Sequence, residues 1–324
     1  MSLQTPASCP LLSRRSFVRM GAAAMSGAAM APFTLPAMLA GADARKPTQF
    51  QIACMTLPYA RFPLARALEG IKRAGYRYVA WGTTHEEAAG QRVAVLPQDA
   101  PPDKARDLGQ RCRDLGLEPL MMFSTIYPEA PQAVAVLTNR IQQAAAAGIP
   151  QVLTFGQTQG GNRAVWVERF KQLAPVARHH GVTIVVKQHG GTTGTGQACA
   201  EIVREVNHPA IMVNYDAGNV MDYLNLDPIP DIRKCAAEVR SFSIKDHRNW
   251  PKDEDCGPGF GEIDHYRLLH PVAFTGLAMP LCCENIFAPL VPRPEKPEEV
   301  DALARRAREF LEVVVRGLQN VGPT

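Results

Sequence analysis

The sequence predicts a (β/α)₈ barrel, and two observations carry that prediction. From residue 45 onward the chain repeats one unit: an amphipathic helix, a glycine, then a short apolar strand. Apolar strands that alternate with helices favour a parallel sheet that is covered on both faces. Eight such strands within about 275 residues fit a closed barrel better than an open doubly wound sheet.

Each element is assigned from its apolar pattern and its end signals. The strands are predicted at 50–55, 76–81, 118–123, 151–155, 182–186, 210–215, 239–244 and 277–283. The first four helices are predicted at 63–74, 103–115, 130–147 and 163–180, each followed by a glycine that permits a left-handed helix end. Asp103 is the predicted N-cap of the second helix. A final helix over 298–318 closes the outer ring of a single domain.

The first 44 residues are predicted to be an export signal and not part of the barrel. Ser13-Arg14-Arg15-Ser16-Phe17 precedes an Ala/Gly/Met-rich run from Met20 to Ala42, and Ala42-Asp43-Ala44 is a small-residue cleavage site. This pattern is typical of a twin-arginine signal. We therefore expect a signal peptide over 1–44, a barrel domain over 45–324, and a periplasmic or extracytoplasmic location.

Composition excludes some partners. Beyond the signal, no segment approaches the ~20 apolar residues of a membrane span, so no membrane partner is expected once the signal is removed. Without residues 1–44, which hold three arginines and one aspartate, the net charge falls from +4 to +2. The sequence has no basic stripe interleaved with aromatic residues, so no nucleic-acid partner is expected. Cys54, Cys282 and Cys283 are expected to be buried free thiols. For Cys256, which is in a loop, a free thiol and a disulfide both stay open.

Polar residues follow several of the predicted strands, where (β/α)₈ barrels carry their active sites. In GVTIVVKQHGG, Lys187 and His189 lie on one face of the strand because side chains two residues apart point the same way. The other strand-end groups are Trp81 with His85, Phe155-Gly156-Gln157, Asp216 with Asn219, Lys245-Asp246-His247, and Glu284-Asn285.

Several of these groups together resemble the xylose isomerase-like TIM barrel family, which includes ketose epimerases, hydroxypyruvate isomerases and inosose dehydratases. NYDAGN at 214–219 resembles the family's strand–Asp–x–Gly–His segment, and SIKD at 243–246 its His–x–Lys–Asp segment. GPGFGEID at 257–264 resembles its G–x–G–x–I–D loop, LCCE at 281–284 its final strand–Glu, and VKQH at 186–189 aligns with Glu–Asn–His. The resemblance covers residues 50 to 318 in the family's order.

The resemblance implies one divalent metal bound by Glu, Asp, His and Glu from four strand ends. Asp216 and Glu284 match two of these ligands, but Lys187 replaces the first glutamate and Ser243 the histidine. Asn219 stands where the family has a histidine three residues after the aspartate. A protonated lysine has no lone pair to offer a metal.

Two arrangements of these residues stay open. In the first, the ammonium of Lys187 takes the place of the metal and neutralises Asp216 and Glu284. In the second, the metal lies further out, where His189 and His247 join the two carboxylates in a set suited to Mn, Fe, Co or Zn.

The resemblance implies a sugar isomerase or epimerase, which removes a proton next to a carbonyl and stabilises the enediolate. Such chemistry needs a base, an acid and an electrophile at the oxygens. The expected catalytic residues are Lys187, Asp216, Lys245 and Glu284, with Glu284 as a base or metal ligand. The expected substrate contacts are Trp81, His85, Asn219 and Trp250, the indoles by stacking on a sugar ring.

The expected substrate is a free sugar, a keto-sugar or a glycoside, because no cluster of residues suited to a phosphate is visible. A lyase or dehydratase is the alternative enzyme, since it shares the first proton abstraction. A non-catalytic sugar-binding barrel is the alternative from another class.

Overall fold

Eight parallel strands close into a barrel within residues 46–320, the part of the chain that the computed structural model describes. Around the barrel the order is β1-β12-β9-β8-β7-β6-β5-β2. The strands are β1 Gln49–Met55, β2 Tyr78–Trp81, β5 Glu118–Phe123, β6 Gln151–Phe155, β7 Thr183–Lys187, β8 Ile211–Tyr215, β9 Val239–Ile244 and β12 Ala278–Cys283. The predicted barrel is therefore confirmed, and no strand boundary moves by more than two residues.

Two hairpins, which the sequence reading did not anticipate, stand on the barrel beyond the strand ends. One joins β3 (Thr84–Ala88) to β4 (Gln91–Ala94), and the other joins β10 (Asp246–Arg248) to β11 (Glu254–Cys256). Both are antiparallel two-stranded sheets that lie outside the barrel sheet. They build the walls around the barrel mouth, the end where the C-termini of the strands open.

The helices alternate with the strands as predicted. They are α1 Leu64–Arg73, α2 Pro102–Asp114, α3 Ala133–Ala147, α4 Arg163–His179, α5 Gly196–Val206, α6 Ala217–Leu224, α7 Pro228–Arg233, α8 His265–Leu269 and α9 Pro297–Asn320. The predicted glycines at 75, 116, 148 and 181 all have positive φ. The prediction for Asp103 was wrong: Pro101 is the N-cap of α2, and Pro102 starts the helix with its fixed φ.

The interior of the barrel is filled by apolar side chains, so the fold has a packed centre and no pore. This inner cluster comprises Ala53, Met55, Ala80, Leu120, Met121, Phe123, Leu153, Val185 and Cys282. Their neighbours along the strands belong to a larger cluster between the sheet and the helices. Because strand side chains alternate, residues two positions after an inner one also face the barrel axis.

Two further expectations concern the cysteines and membrane-spanning helices. The seven cysteines of residues 46–320 are free and buried, including Cys256. No helix in that range is long and apolar enough to cross a membrane. The predicted signal over 1–44 lies outside the described residues.

Candidate functional site

A buried charged centre, formed by Lys187, Asp216 and Glu284, lies at the C-terminal ends of β7, β8 and β12. Nζ of Lys187 lies 2.8 and 2.7 Å from the two carboxylate oxygens of Glu284 and 3.1 Å from Oδ2 of Asp216. Lys187 follows the inner residue Val185 by two positions, and Glu284 follows Cys282, so both side chains face the barrel axis. The structure thus has the first arrangement, with the ammonium between the two carboxylates.

Asp216 is fixed by the start of α6. Its Oδ1 accepts a hydrogen bond from the backbone N–H of Asn219 at 3.0 Å, which caps the helix, and its own N–H donates to Oε1 of Gln188 at 2.7 Å. Oδ2 is buried and has no aligned hydrogen-bond partner; its contact with Lys187 is an ion pair without hydrogen-bond geometry. Asp216 is therefore held in a rigid position by the backbone and by Gln188.

A second ammonium, that of Lys245, borders the charged centre. It donates to Oδ1 of Asn219 and, at 2.6 Å, to Oδ2 of Asp255. Asn219 also donates from Nδ2 to the carbonyl of Gln188 at 2.7 Å. A Cβ on Gly218 would lie 2.6 Å from Cε of Lys245, so glycine is what lets this lysine pass along α6.

The lysines set the protonation of the centre. Burial would raise the pKa of Glu284, but the attraction of Lys187 and Lys245 outweighs burial and lowers that pKa to about 2. The pKa of Asp216 is raised because burial there outweighs the same two cations. The carboxylates raise the pKa of Lys187 and of Lys245 despite burial. Glu284 is therefore ionised at neutral pH and faces two ammonium groups.

We expect the contribution of Glu284 to the stability of the folded state to be lost as the pH falls from about 4.5 to about 2, while the raised pKa of Asp216 acts in the opposite direction. Since the folded pKa of Glu284 lies below its ordinary value, its contribution is present above the ordinary pKa and is lost as the pH falls through the folded one. The shift corresponds to about 3 kcal/mol. Urea unfolding at neutral pH and at about pH 3 measures the loss, which should be smaller in Glu284→Gln. Equal losses in both proteins would contradict this role.

The two histidines of the second arrangement do not join the carboxylates. His189 lies in a turn beyond β7, where its Nδ1 is 2.7 Å from the carbonyl of Gly156 and its ring packs against Phe155 and Tyr223. His247 lies in β10, where the chain has left the direction of β9. The predicted set of Asp216, Glu284, His189 and His247 does not converge because neither strand continues straight past its end.

Nor do the residues of the charged centre fit the metal that the resemblance implies. The ammonium of Lys187 fills the space between the carboxylates, and a protonated amine cannot ligate a metal. The hydroxyl of Ser243 donates to Oδ1 of Asn214 at 2.9 Å, and no imidazole stands in its place. The cation that this centre holds is the ammonium of Lys187.

A different group of side chains has donors suited to a cation. Within residues 46–320, only Asp222, His247 and Asp253 bring three metal-ligating atoms within 4.8 Å of one another. Nε2 of His247 lies 3.1 Å from Oδ1 of Asp253, while its Nδ1 lies 3.1 Å from Asp255. Of the predicted ligands, this group contains His247 alone.

Three of the four predicted substrate contacts are buried and contact other parts of the protein. Trp81 is only 1% exposed and belongs to the cluster between sheet and helices, so its indole does not face the mouth. His85 is buried, with Nδ1 2.9 Å from the carbonyl of Phe62. Asn219 holds Lys245 and Gln188 in place. Trp250, in the turn between β10 and β11, is 76% exposed and remains available to a ligand.

Asp246, which follows Lys245, has a structural role. Both carboxylate oxygens of Asp246 accept backbone N–H groups, from His247, Gly259 and Ile263 at 2.9 to 3.0 Å. Asp246 thereby fixes the glycine-rich loop over 257–264.

A cavity of about 580 Å³ opens beside the charged centre, at the ends of β2, β5 and β6. Its lining includes Thr84, Leu96, Thr125, Tyr127, Arg140 and Phe155. The ring of Phe155 also lies 5.8 Å from Nζ of Lys187, so the cavity and the centre share this residue as a wall. The sequence reading missed Thr125 and Arg140, since one follows a strand without a motif and the other lies inside a helix.

Comparison with known proteins agrees with the geometry. The chain is similar to solved structures of an L-ribulose 3-epimerase (18% identity, TM-score 0.64, covering 83% of this chain and 95% of that chain) and of an IOLI protein with a bound zinc atom (16%, 0.65, 82% and 98%). It is also similar to the probable 3-DHS dehydratase AsbF from Bacillus anthracis (13%, 0.59, 81% and 98%). At these identities the likeness shows the fold alone.

The family comparison rests on the sequence itself. None of the curated proteins compared with the chain matches it significantly. A family model described as "Xylose isomerase-like TIM barrel" matches residues 68–312, which include all three residues of the charged centre. The chain therefore belongs to the xylose isomerase-like TIM barrel family.

Proposed function

We propose that the protein is a sugar isomerase or epimerase-like enzyme that removes a proton next to a carbonyl group of a free sugar, keto-sugar or glycoside. The observation that carries the proposal is the ammonium of Lys187, held between two carboxylates at the mouth of the barrel. Membership of the family, and the epimerase and dehydratase among similar solved structures, support this class of chemistry.

Each residue of the charged centre has a role that follows from its position. Of the two carboxylates, Glu284 is the one that a ligand can reach, because its side chain is 17% exposed and that of Asp216 is fully buried. Glu284 takes the proton from carbon, and the electron pair moves to the carbonyl oxygen, which Lys187 stabilises as an enediolate. In an isomerisation, protonated Glu284 then gives the proton to the adjacent carbon while the hydroxyl proton of the enediolate passes to the former carbonyl oxygen; in an epimerisation, the same carbon receives a proton on its opposite face.

The low pKa of Glu284 in the resting protein suits this role only after substrate binds. A substrate oxygen on Lys187 draws part of the ammonium's hydrogen bonding away from Glu284, which raises the basicity of the carboxylate toward the range useful for proton transfer. Asp216 and Lys245 act as positioning residues, because Asp216 is held by the start of α6 and Lys245 is held by Asn219 and Asp255.

Proton exchange tests the first step without knowledge of the product. We expect the protein, incubated in D₂O with ketohexoses such as fructose, tagatose and allulose, to introduce deuterium next to the carbonyl, as measured by NMR. Glu284→Gln should lose about 10²-fold or more of this rate. Glu309→Gln, which changes an exposed carboxylate on α9, is the matched control and should exchange at the wild-type rate.

The same experiment separates the alternatives. Exchange with a changed stereocentre or carbonyl position identifies an isomerase or epimerase, and exchange with loss of water or of an aglycone identifies a lyase or dehydratase. Binding of sugars without any exchange would contradict the proposal and indicate a sugar-binding barrel.

We propose a divalent ion only at the group of Asp222, His247 and Asp253, outside the charged centre. One imidazole and two carboxylates are donors that Mn, Fe, Co and Zn accept. The solved IOLI structure with zinc supports a metal in the family, but not its place in this chain. Elemental analysis of the wild type and of Asp253→Asn tests the assignment, which a metal retained equally by both would contradict.

We also propose export by the twin-arginine route, from the residues at 13–17. Replacement of Arg14 and Arg15 by lysine should abolish export of the folded precursor, measured as the fraction of protein recovered outside the cytoplasm. Continued export of the variant through the general secretory route would contradict this signal.

A further inference from the structure

Arg140 is a buried cation without a carboxylate partner. It projects from α3 and is only 2% exposed, yet no Asp or Glu within residues 46–320 forms an ion pair with it. Its Nη atoms donate to Oε1 of Gln143 at 2.8 Å, to the carbonyl of Leu96 at 3.0 Å and to Oγ1 of Thr125 at 2.8 Å. Its Nε has no partner in the described structure. Buried charges are usually paired, but within residues 46–320 this guanidinium has no anion at ion-pair distance, and Asp99 attracts it only from further away.

The cavity beside the charged centre is where that anion fits. Arg140 lines it and is the one charged residue of its lining among the described residues; no acidic side chain lines it there. Burial lowers the pKa of Arg140 only to about 10, so the guanidinium stays cationic at neutral pH. The remaining walls are mainly apolar, which strengthens the attraction of a ligand anion by excluding water.

A strained residue lies at the same place. Thr125 has a φ of +61°, a conformation that β-branched residues rarely adopt, and it lines the cavity. Its hydroxyl accepts from Arg140 and donates to the carbonyl of Ser124 at 2.6 Å. Backbone strain of this kind persists where the surroundings over-determine it, often at a ligand site.

We infer that Arg140 and the cavity it lines form a carboxylate subsite, so that the substrate is a sugar acid. This inference rests on the proposed function, because it places the carboxylate in the cavity and the reacting carbons at Lys187 and Glu284, on the other side of Phe155. Phe155 lines the cavity and its ring lies 5.8 Å from Nζ of Lys187, so the cavity and the charged centre border the same side chain.

The charge favours a carboxylate over a phosphate. A phosphate monoester carries up to two negative charges and several acceptor oxygens, and sites for it usually bring several cations or backbone N–H groups. Here one guanidinium lines the cavity, and three of its five N–H groups already donate to protein atoms. A carboxylate, which carries a single negative charge, matches this one guanidinium.

Binding of matched sugars by calorimetry tests the subsite. D-glucuronate and D-glucose differ at C6 by the carboxylate, and we expect glucuronate to bind at least about tenfold more tightly, or about 1.4 kcal/mol. Arg140→Met should remove this preference. Arg169→Lys is the matched control, because Arg169 also donates to loop carbonyls, those of Pro128 and Ala130, but does not line the cavity. It should keep the preference.

A second variant covers the case in which Arg140→Met fails to fold. Gln98 is exposed and lines the cavity, so Gln98→Glu adds a competing carboxylate with little risk to folding. It should weaken glucuronate binding and leave glucose binding unchanged. Equal binding of the two sugars to the wild type, a preference kept in a folded Arg140→Met, or an unchanged preference in Gln98→Glu where Arg140→Met does not fold, would overturn the subsite.

Two further probes separate this inference from the proposed function. Glucose 6-phosphate bound more tightly than glucuronate would overturn the carboxylate assignment in favour of phosphate. Hexanoate is an acid without a sugar. If hexanoate binds, loses binding in Gln98→Glu, and neither sugar binds, the subsite stands and the carbohydrate chemistry of the proposed function fails.

Discussion

Lys187→Met is expected to lower the free energy of unfolding by about 3–5 kcal/mol at neutral pH and to abolish proton exchange. The variant leaves Asp216 and Glu284 buried at the same place without the ammonium that contacts both. Removing one partner of a buried ion pair is costly because the remaining charge has neither water nor a counterion. Urea unfolding measures the stability, and deuterium incorporation measures the activity.

Lys252→Met is the matched control for this substitution. Lys252 also pairs with a carboxylate, that of Glu254 at 3.1 Å, but its side chain is exposed, so the loss should stay below about 1 kcal/mol. The deficit of Lys187→Met should also shrink as the pH falls and the two carboxylates take up protons. Equal losses in both variants, or a deficit that does not change with pH, would show that Lys187 is not the counterion of the centre.

The double variant Lys187→Glu/Ser243→His is expected to gain a divalent metal at the charged centre. It restores the two ligand types that the family pattern has and this chain lacks, beside Asp216 and Glu284. A metal bound only to the folded state stabilises it by about 2.7 kcal/mol when present at a hundred times its dissociation constant. The rise in melting temperature on adding Mn or Zn, reversed by a chelator, measures the gain.

Lys187→Gln/Ser243→His is the control, because it removes the ammonium without adding a carboxylate. It should gain less metal affinity than Lys187→Glu/Ser243→His, because it offers one imidazole and two carboxylates where that variant offers a third carboxylate as well. A folded double variant that binds no metal would show that Asp216 and Glu284 are not placed for a common ion. A wild-type protein with one metal at the charged centre would contradict the assignment of Lys187.

The barrel and the charged centre were predictable because both depend on local patterns. The period of apolar strands, the helix-ending glycines and a lysine two residues after an inward valine place Lys187 on the axis by alternation alone. Glu284 follows from the same rule at β12. Such reasoning works as long as the chain continues in the direction of the strand.

Some of the residues that the sequence misplaced lie where the chain no longer follows the direction of the strand. Others lie on a strand whose two faces the sequence alone does not distinguish. His189 and His247 lie in a turn and in a hairpin, so extending their strands predicted the wrong neighbours. Trp81 is at a strand end, but on the face that packs against the helices. Arg140 reaches the cavity from the middle of α3, and only tertiary structure shows that its partners are carbonyls and a hydroxyl.

The ammonium between Asp216 and Glu284 also changes how the protein depends on its surroundings. An ion taken from solution is exchangeable, and its identity follows the local supply of metals and their intrinsic order of affinity. The cation at this centre is instead covalently part of the chain, is made in a one-to-one ratio with the barrel, and cannot be extracted by chelators or displaced by copper. Sites that take their ion from solution can be loaded with the wrong metal. This position cannot, because its cation is a side chain.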